Sequence, residues 1–282
     1  MFIAKSVTWT LPRHVRKLHE LLAECELCDP VSALQLLDYR FVDYHVRKYA
    51  ISCLEPMPDE EVVSILLQLV QGLKFEPYLL SPLLLFLFRR AVESRRLIGH
   101  TLFWHLYSEV HHGQIALLNG VLLFALRRAL PVFFAELRSQ AHLVSQLTEV
   151  AKMVRNCARN RTGYARSLLA EIHISGTLSL PVNPRFGVCS LLVDKCKVME
   201  SFTTPLWLTF ANADPYGDPI QVIYKIGDDL RQDYLTLQMI RIMDDMWKQE
   251  GLDLRMTPYM CMVTGEMSGM IEVLFLPHLN LN

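Results

Sequence analysis

The residues best placed to do chemistry sit in the run Val222-Ile223-Tyr224-Lys225-Ile226-Gly227-Asp228-Asp229-Leu230-Arg231-Gln232-Asp233. From Ile220 to Lys225 the side chains alternate with the two-residue period of a strand, which puts Gln221, Ile223 and Lys225 on one face. Gly227 breaks the strand, and Asp228 or Asp229 is placed to cap a helix that runs to about Trp247. That helix carries one apolar stripe at Leu235, Met239, Ile242, Met243 and Met246 and a second at Leu237, Ile240 and Trp247, with Asp233 among them. A carboxylate in apolar company is costly unless paired, so Lys225 is the expected partner of Asp233. A strand lysine against a helix acid is one device for holding nucleotide phosphates. The same spacing also fits an ordinary strand–helix ion pair, which on spacing alone is the commoner case.

The elements around this run divide the chain in two. From 11 to about 162 the helical period dominates, with helices expected at 43–54, from Pro58 onward, and at 81–94, 100–110, 114–127 and 131–156. Pro58-Asp59-Glu60-Glu61 opens one of them with a proline and acids in its first turn, and Val62, Ile65, Leu66, Leu69, Val70 and Leu73 supply its apolar face. Paired helices with little else suggest an α-solenoid. After Gly176 the period becomes two, and strands are expected at 188–193, 206–210, 221–225, 254–263 and 269–274. The fold class is therefore mainly α with a C-terminal α+β part.

Composition narrows the function classes. Hydrophobic residues make up 51% of the 282 positions, which argues against disorder, and a net charge of −1 gives no electrostatic case for nucleic acid or an anionic membrane. The most apolar windows, 78–88 and 115–126, are too short to span a bilayer and read as buried helices, so no transmembrane segment is expected. Seven scattered cysteines suit a reducing compartment, and the chain reads as cytoplasmic. Cys25 and Cys28 form a single CxxC after His14 and His19, but an amphipathic helix (Leu11, Val15, Leu18, Leu22) already accounts for that spacing, so structural thiols are expected in preference to zinc. His100, His105, His111 and His112 lack the HExxH arrangement and read as helix surface or core.

Several motifs, in order, resemble the phosphoinositide 3-kinases. Leu36-Leu37-Asp38-Tyr39-Arg40-Phe41, Val46-Arg47-Lys48-Tyr49-Ala50, Leu73-Lys74-Phe75-Glu76-Pro77-Tyr78 and Ile98-Gly99-His100-Thr101-Leu102-Phe103-Trp104-His105-Leu106 are similar to that family's accessory helical domain. Cys196-Lys197-Val198-Met199, Pro205-Leu206-Trp207-Leu208, Asn212-Ala213-Asp214-Pro215, the lysine run and Gly251-Leu252-Asp253-Leu254-Arg255-Met256 are similar to its kinase N-lobe. The wording Glu250-Gly251-Leu252-Asp253 with Val263-Thr264-Gly265 looks most like the class II enzymes, in particular the gamma form. The resemblance implies an accessory helical scaffold over 1–172 and an incomplete kinase N-lobe over 173–282, with an atypical tail at 275–282.

Carried over position by position, the resemblance places Ser201 in a phosphate loop and Lys225 on the ATP phosphates, with Asp233 and Tyr259 in the inner pocket. Met199, Trp207 and Ile223 would sandwich the adenine, and Glu272 and Leu274, in the hinge, would offer backbone groups to its edge. The loop Glu200-Ser201-Phe202-Thr203-Thr204 lacks the basic residue that many relatives carry. Neither an Asp-Arg-His catalytic loop nor an Asp-Phe-Gly segment occurs in the 282 residues, so no catalytic or metal-binding residue is assigned. Two expectations follow. By family this is a phosphatidylinositol 3-kinase that uses ATP and magnesium on phosphoinositide membrane lipids, as a peripheral membrane enzyme. By content it is a truncated, inactive chain, binding neither cofactor tightly, that serves as a scaffold or dominant-negative form with protein partners on its helical domain. A break at the hinge would also leave Ile223, Tyr259 and Ile271 exposed beside Met199 and Trp207, and make the region after Gly176 the first to be digested.

Overall fold

The computed structural model describes residues 6–110, 113 and 115–274; the expected tail at 275–282, and His111 and His112, lie outside them. The chain divides into two compact units, Met1–Pro131 and Val132–Asn282.

The first unit is helical: α1 (Pro12–Glu24), α2 (Pro30–Gln35), α3 (Tyr44–Leu54), α4 (Asp59–Ser64), α5 (Leu66–Gly72), α6 (Pro82–Glu93), α7 (His100–Ser108) and α8 (Ala116–Ala129). Local chemistry sets several starts. The Asp43 carboxylate accepts the backbone N–H groups of His45 and Val46 at the head of α3. The Ser81 hydroxyl accepts Leu84 N–H at 3.2 Å, with Pro82 at the first helical position of α6. The single helix expected from Pro58 is interrupted at Ile65, whose φ of −107° and ψ of 6° leave the helical region and separate α4 from α5. The β-branched run Val62, Val63 and Ile65 gives little intrinsic resistance to that break.

Three of the four family-like segments of this unit are joined by one buried residue. Arg47 in α3 pairs with Glu76 at 2.7 Å, their side chains 1% and 0% exposed, and donates to the carbonyls of Asp38 (3.2 Å) and Phe75 (2.9 Å). Arg90 does similar work from α6, donating to the carbonyls of Glu55 and Met57 and to the Asp59 carboxylate. The candidate zinc quartet does not assemble, since Cys28 faces Cys53 (Sγ to Sγ 3.5 Å) while the His19 ring meets Asp43 at 3.0 Å.

The second unit holds α9 (Pro131–Arg155) and α10 (Arg161–Leu169), then β1 (Leu178–Leu180), β2 (Asn183–Leu191), β3 (Lys197–Val198), β4 (Leu206–Asn212), β5 (Ile220–Ile226), α11 (Arg231–Gln249), β6 (Cys261–Gly265) and β7 (Ser268–Glu272). The strands form one antiparallel sheet in the order β1-β2-β4-β5-β7-β6, with β3 beside β4. Helices α9 and α10 are tied to it by side chains: Thr148 Oγ1 lies 2.7 Å from the Tyr224 hydroxyl, Arg166 donates to the Cys196 carbonyl, and Thr162 accepts Val198 N–H. The helices between 131 and 169 thus belong to the same compact unit as the sheet.

Alternation along β5 buries Val222, Tyr224 and Ile226 and leaves Gln221, Ile223 and Lys225 half-buried on the other face. On that second face Leu230, Leu237, Cys261, Val263 and Ile271 form a core to which Ile223 and Tyr259 add. The exposed apolar sheet face expected from a break at the hinge is therefore covered by α11. It is the helix that is bare instead, with Leu235, Met239, Ile242, Met243 and Met246 between 41% and 60% exposed. The strand expected over 254–263 begins only at Cys261. Arg255 sits at φ +51°, its N–H turned onto the Asp253 carboxylate, and Pro258 has no N–H to give a ladder.

Candidate functional site

Strand register assembles the site. Lys197 pairs with Trp207, Trp207 with Ile223, Ile223 with Ile271 and Ile271 with Cys261, so one row crosses the sheet on a single face. Lys225 lies two residues along β5 on the same face, opposite Gly269. A Cβ on Gly269 would stand 2.7 Å from both Leu230 Cδ2 and the Met262 carbonyl, so only a bare backbone lets the head of α11 seat beside the lysine.

Lys225 does not pair with Asp233. Its ammonium sits 3.3 Å from Asp228, with side-chain exposures of 25% and 45%, and Asp233 forms no ion pair among the described residues. The cause is the backbone between them. Gly227 adopts φ +80°, donates its N–H to the Met267 carbonyl at 2.7 Å, and turns the chain so that Asp228 falls back on the strand end. Asp229 rather than Asp228 serves the helix start, accepting Arg231 N–H at 3.1 Å and Arg231 Nε at 2.8 Å. The charges of Lys225 and Asp233 both act on one buried group, as does that of Arg241. Burial pushes the Cys261 thiol up to about 12, with the Asp233 charge adding to the rise and Lys225 opposing it.

The loop after β3 is a tight turn, with Met199 N–H on the Pro205 carbonyl, Ser201 N–H on that of Met199 and Thr204 N–H on that of Ser201. Thr204, at φ +46°, is buried, and Ser201 and Phe202 are exposed. A cavity of about 570 Å³ opens beside this loop, lined by Asn160, Arg161, Thr162, Met199, Glu200 and Ser201. No cation comes from the loop itself; Arg161 lines the cavity, and two further cations stand near the loop. The Arg155 guanidinium lies 6.0 Å from the Phe202 ring centroid, with Nη1 only 2.6 Å from where a Cβ on Gly227 would stand. Lys197 Nζ rests 4.8 Å from the centroid of Trp207. Neither has a carboxylate partner among the described residues.

The end of β7 has an arrangement that sequence reading missed. Glu272 faces Val222 as a pair that exchanges no ladder bonds, since Val273 N–H and Gly227 N–H fix the alternation, so its backbone groups point towards β6. Its N–H donates to the Met260 carbonyl at 2.8 Å, while Met260 N–H goes to the Glu272 carboxylate, also at 2.8 Å. The side chain takes the donor that the Glu272 carbonyl would otherwise hold. Tyr259 is fixed nearby through its carbonyl, which accepts Arg241 Nη2 at 2.8 Å, and Leu274 is half-buried just beyond β7.

Trp207, Ile223 and Lys225 are thus brought to one sheet face with Glu272 at its end, and Asp233 is near but unpaired. Met199 and Ser201 occupy the neighbouring turn. Among the described residues no group of three or more His, Cys, Asp or Glu could hold a metal ion, and no helix is long and apolar enough to cross a membrane.

Comparison with known proteins follows the same division. Residues 2–135 match the phosphoinositide 3-kinase family accessory domain (PIK domain), and residues 219–278 match phosphatidylinositol 3- and 4-kinase. Three relatives from Dictyostelium discoideum align along nearly the whole chain. Phosphatidylinositol 3-kinase 2 is 42% identical over 270 residues (95% of this chain, 14% of the relative). Phosphatidylinositol 3-kinase 1 is 42% identical over 269 (95% and 17%), and phosphatidylinositol 3-kinase 3 is 38% identical over 279 (96% and 16%). The chain therefore spans less than a fifth of the length of these relatives. With an accessory-domain match, a kinase match and this end-to-end similarity, the chain belongs to the phosphoinositide 3-kinase family.

Proposed function

We propose that the sheet of this chain is the lysine-bearing wall of an ATP cleft, in an enzyme that passes the ATP γ-phosphate to the inositol 3-hydroxyl of a phosphoinositide. The observation that carries this reading is the shared face of Trp207, Ile223 and Lys225, ending at a Glu272 carbonyl whose usual strand partner is taken by its own carboxylate. ATP, when bound, supplies the phosphoryl group. The chain's part is to orient it, with Met199, Trp207 and Ile223 against the adenine faces and the Glu272 and Leu274 backbone at its edge. Lys225 would exchange Asp228 for phosphate oxygens, a small cost for a pair this exposed. Ser201 lies in the adjoining loop, and Asp233 and Tyr259 line the inner side. No residue of these 282 is assigned to magnesium, since the family's Asp-Phe-Gly motif does not occur among them. The class II, gamma-form assignment rests on the wording of 250–253 and 263–265. An enzyme of this kind would meet its lipid from the aqueous side of a membrane, with the helices before 173 as its scaffold.

One wall buries little of a nucleotide. We expect residues 1–282 alone to bind ATP no tighter than about 1 mM, roughly −4 kcal/mol. An NMR titration should show ATP binding more tightly than adenosine, with that preference lost in Lys225→Ala. Equal affinities in the unmodified chain would contradict the role given to the lysine.

A further inference from the structure

Away from the lysine face, the second unit holds a cavity of about 410 Å³ between α9 and the segment that follows α10. On α9, Arg138, His142 and Gln146 follow one another at four-residue intervals and line one wall. The opposite wall carries His173 and Ser175, just before Gly176, whose φ of +76° turns the chain into β1. Burial of Leu169 and Ile172 on one side and Leu180 on the other anchors that short segment.

The lining is one-sided in charge. It contains an arginine, two histidines, an amide and hydroxyls, and no carboxylate. Ser139, also in the lining, spends its hydroxyl on the Ala135 carbonyl. The side chains of Arg138, His142, Gln146, His173 and Ser175 have no hydrogen-bonding partner among the described residues. A concentration of donors without acids is not a reflection of overall basicity, because the chain as a whole carries a net charge of −1.

We infer that this cavity is a second anion site, built for a phosphate monoester carried on a small polar body. A guanidinium matches two phosphate oxygens at once, and imidazole, amide and hydroxyl donors around it can take the third oxygen and the attached group. The volume lies within the usual range for small-ligand pockets and exceeds what a bare phosphate fills. The site is independent of the adenine wall and uses none of its residues.

The test uses the whole chain labelled with ¹⁵N on its 10 histidines, with the His142 and His173 imidazole signals assigned from His142→Gln and His173→Gln. At fixed pH, glucose 6-phosphate should move both signals together and saturably in the low millimolar range. Glucose should move neither, and inorganic phosphate should bind more weakly. Arg138→Ala, on an exposed helix face, should weaken binding about tenfold without changing the melting temperature. Vesicles of phosphatidylcholine with and without phosphatidic acid separate a lipid source from a soluble one: Arg138-dependent capture by the acidic vesicles assigns the site to a lipid phosphate. Signals that stay still with every phosphate probe, or an affinity that Arg138→Ala and His173→Gln leave unchanged, would overturn the site.

Discussion

The helical unit and the sheet treat their charges in opposite ways. In the first, the Arg47 and Glu76 side chains are almost fully buried, and Nη2 of the arginine donates to the Asp38 and Phe75 carbonyls. Burial there holds the Glu76 carboxyl above the ordinary range even though Arg47 pulls it down. In the second, Lys225 touches Asp228 at 3.3 Å, part exposed, and Lys197 and Arg155 meet aromatic rings rather than acids. A charge closed off by backbone and a buried partner can only hold the fold together. A charge with a loose, wet partner remains available to something that arrives.

This contrast can be broken most decisively at Arg47. Arg47→Ala leaves Glu76 buried without its partner and should cost about 3–5 kcal/mol. Denaturant unfolding of the helical unit checks it, and a loss below about 1 kcal/mol would mean that the buried pair is not structural.

Acid should reach the helical unit next. Burial lowers His105 to about 4, below its ordinary 6.5, so the folded form binds its proton less readily than the unfolded one. Its contribution is complete above about pH 6.5 and disappears as the pH falls towards 4, a loss of about 3 kcal/mol at most. His105→Gln should flatten the dependence of melting temperature on pH in that window. An unchanged slope would place the acid sensitivity elsewhere.

On the sheet side the expected effects are smaller. Gly269→Ala drives a methyl into Leu230 and the Met262 carbonyl, and should cost about 1–3 kcal/mol while blunting any ATP response. Lys225→Ala should change stability by less than about 1 kcal/mol, because its one ion pair is half in water. Thermal melts of the two variants side by side check both values.

Much of this was legible in the sequence, for local reasons. Asp43, and Ser81 with Pro82, announce helix starts through bonds made within three residues, and alternation from Ile220 to Lys225 gives the lysine its face. What failed depended on backbone conformation or distant partners. Asp233 looked like the partner of Lys225 until Gly227, at φ +80°, brought Asp228 closer. The two apolar stripes of α11 could not be ranked by spacing: Leu237 of the second is buried, with Ile240 and Trp247 half-buried, while the methionine stripe is bare. Arg155 beside Phe202 joins a helix end to a loop far along the chain, and the Glu272 carboxylate on Met260 depends on strand register. Neither leaves a local signal.

The central claim is that Lys225 stands at a nucleotide phosphate site and is held loosely enough to reach it. An acyl-phosphate derivative of ATP, which acylates lysines lying near bound phosphates, tests this directly when the modified chain is digested and read by mass spectrometry. The account predicts that Lys225 is acylated well ahead of the other lysines, Lys197 included, and that excess ATP, but not adenosine, suppresses it. Labelling spread evenly over the surface lysines, or labelling of Lys225 that ATP does not protect, would contradict it.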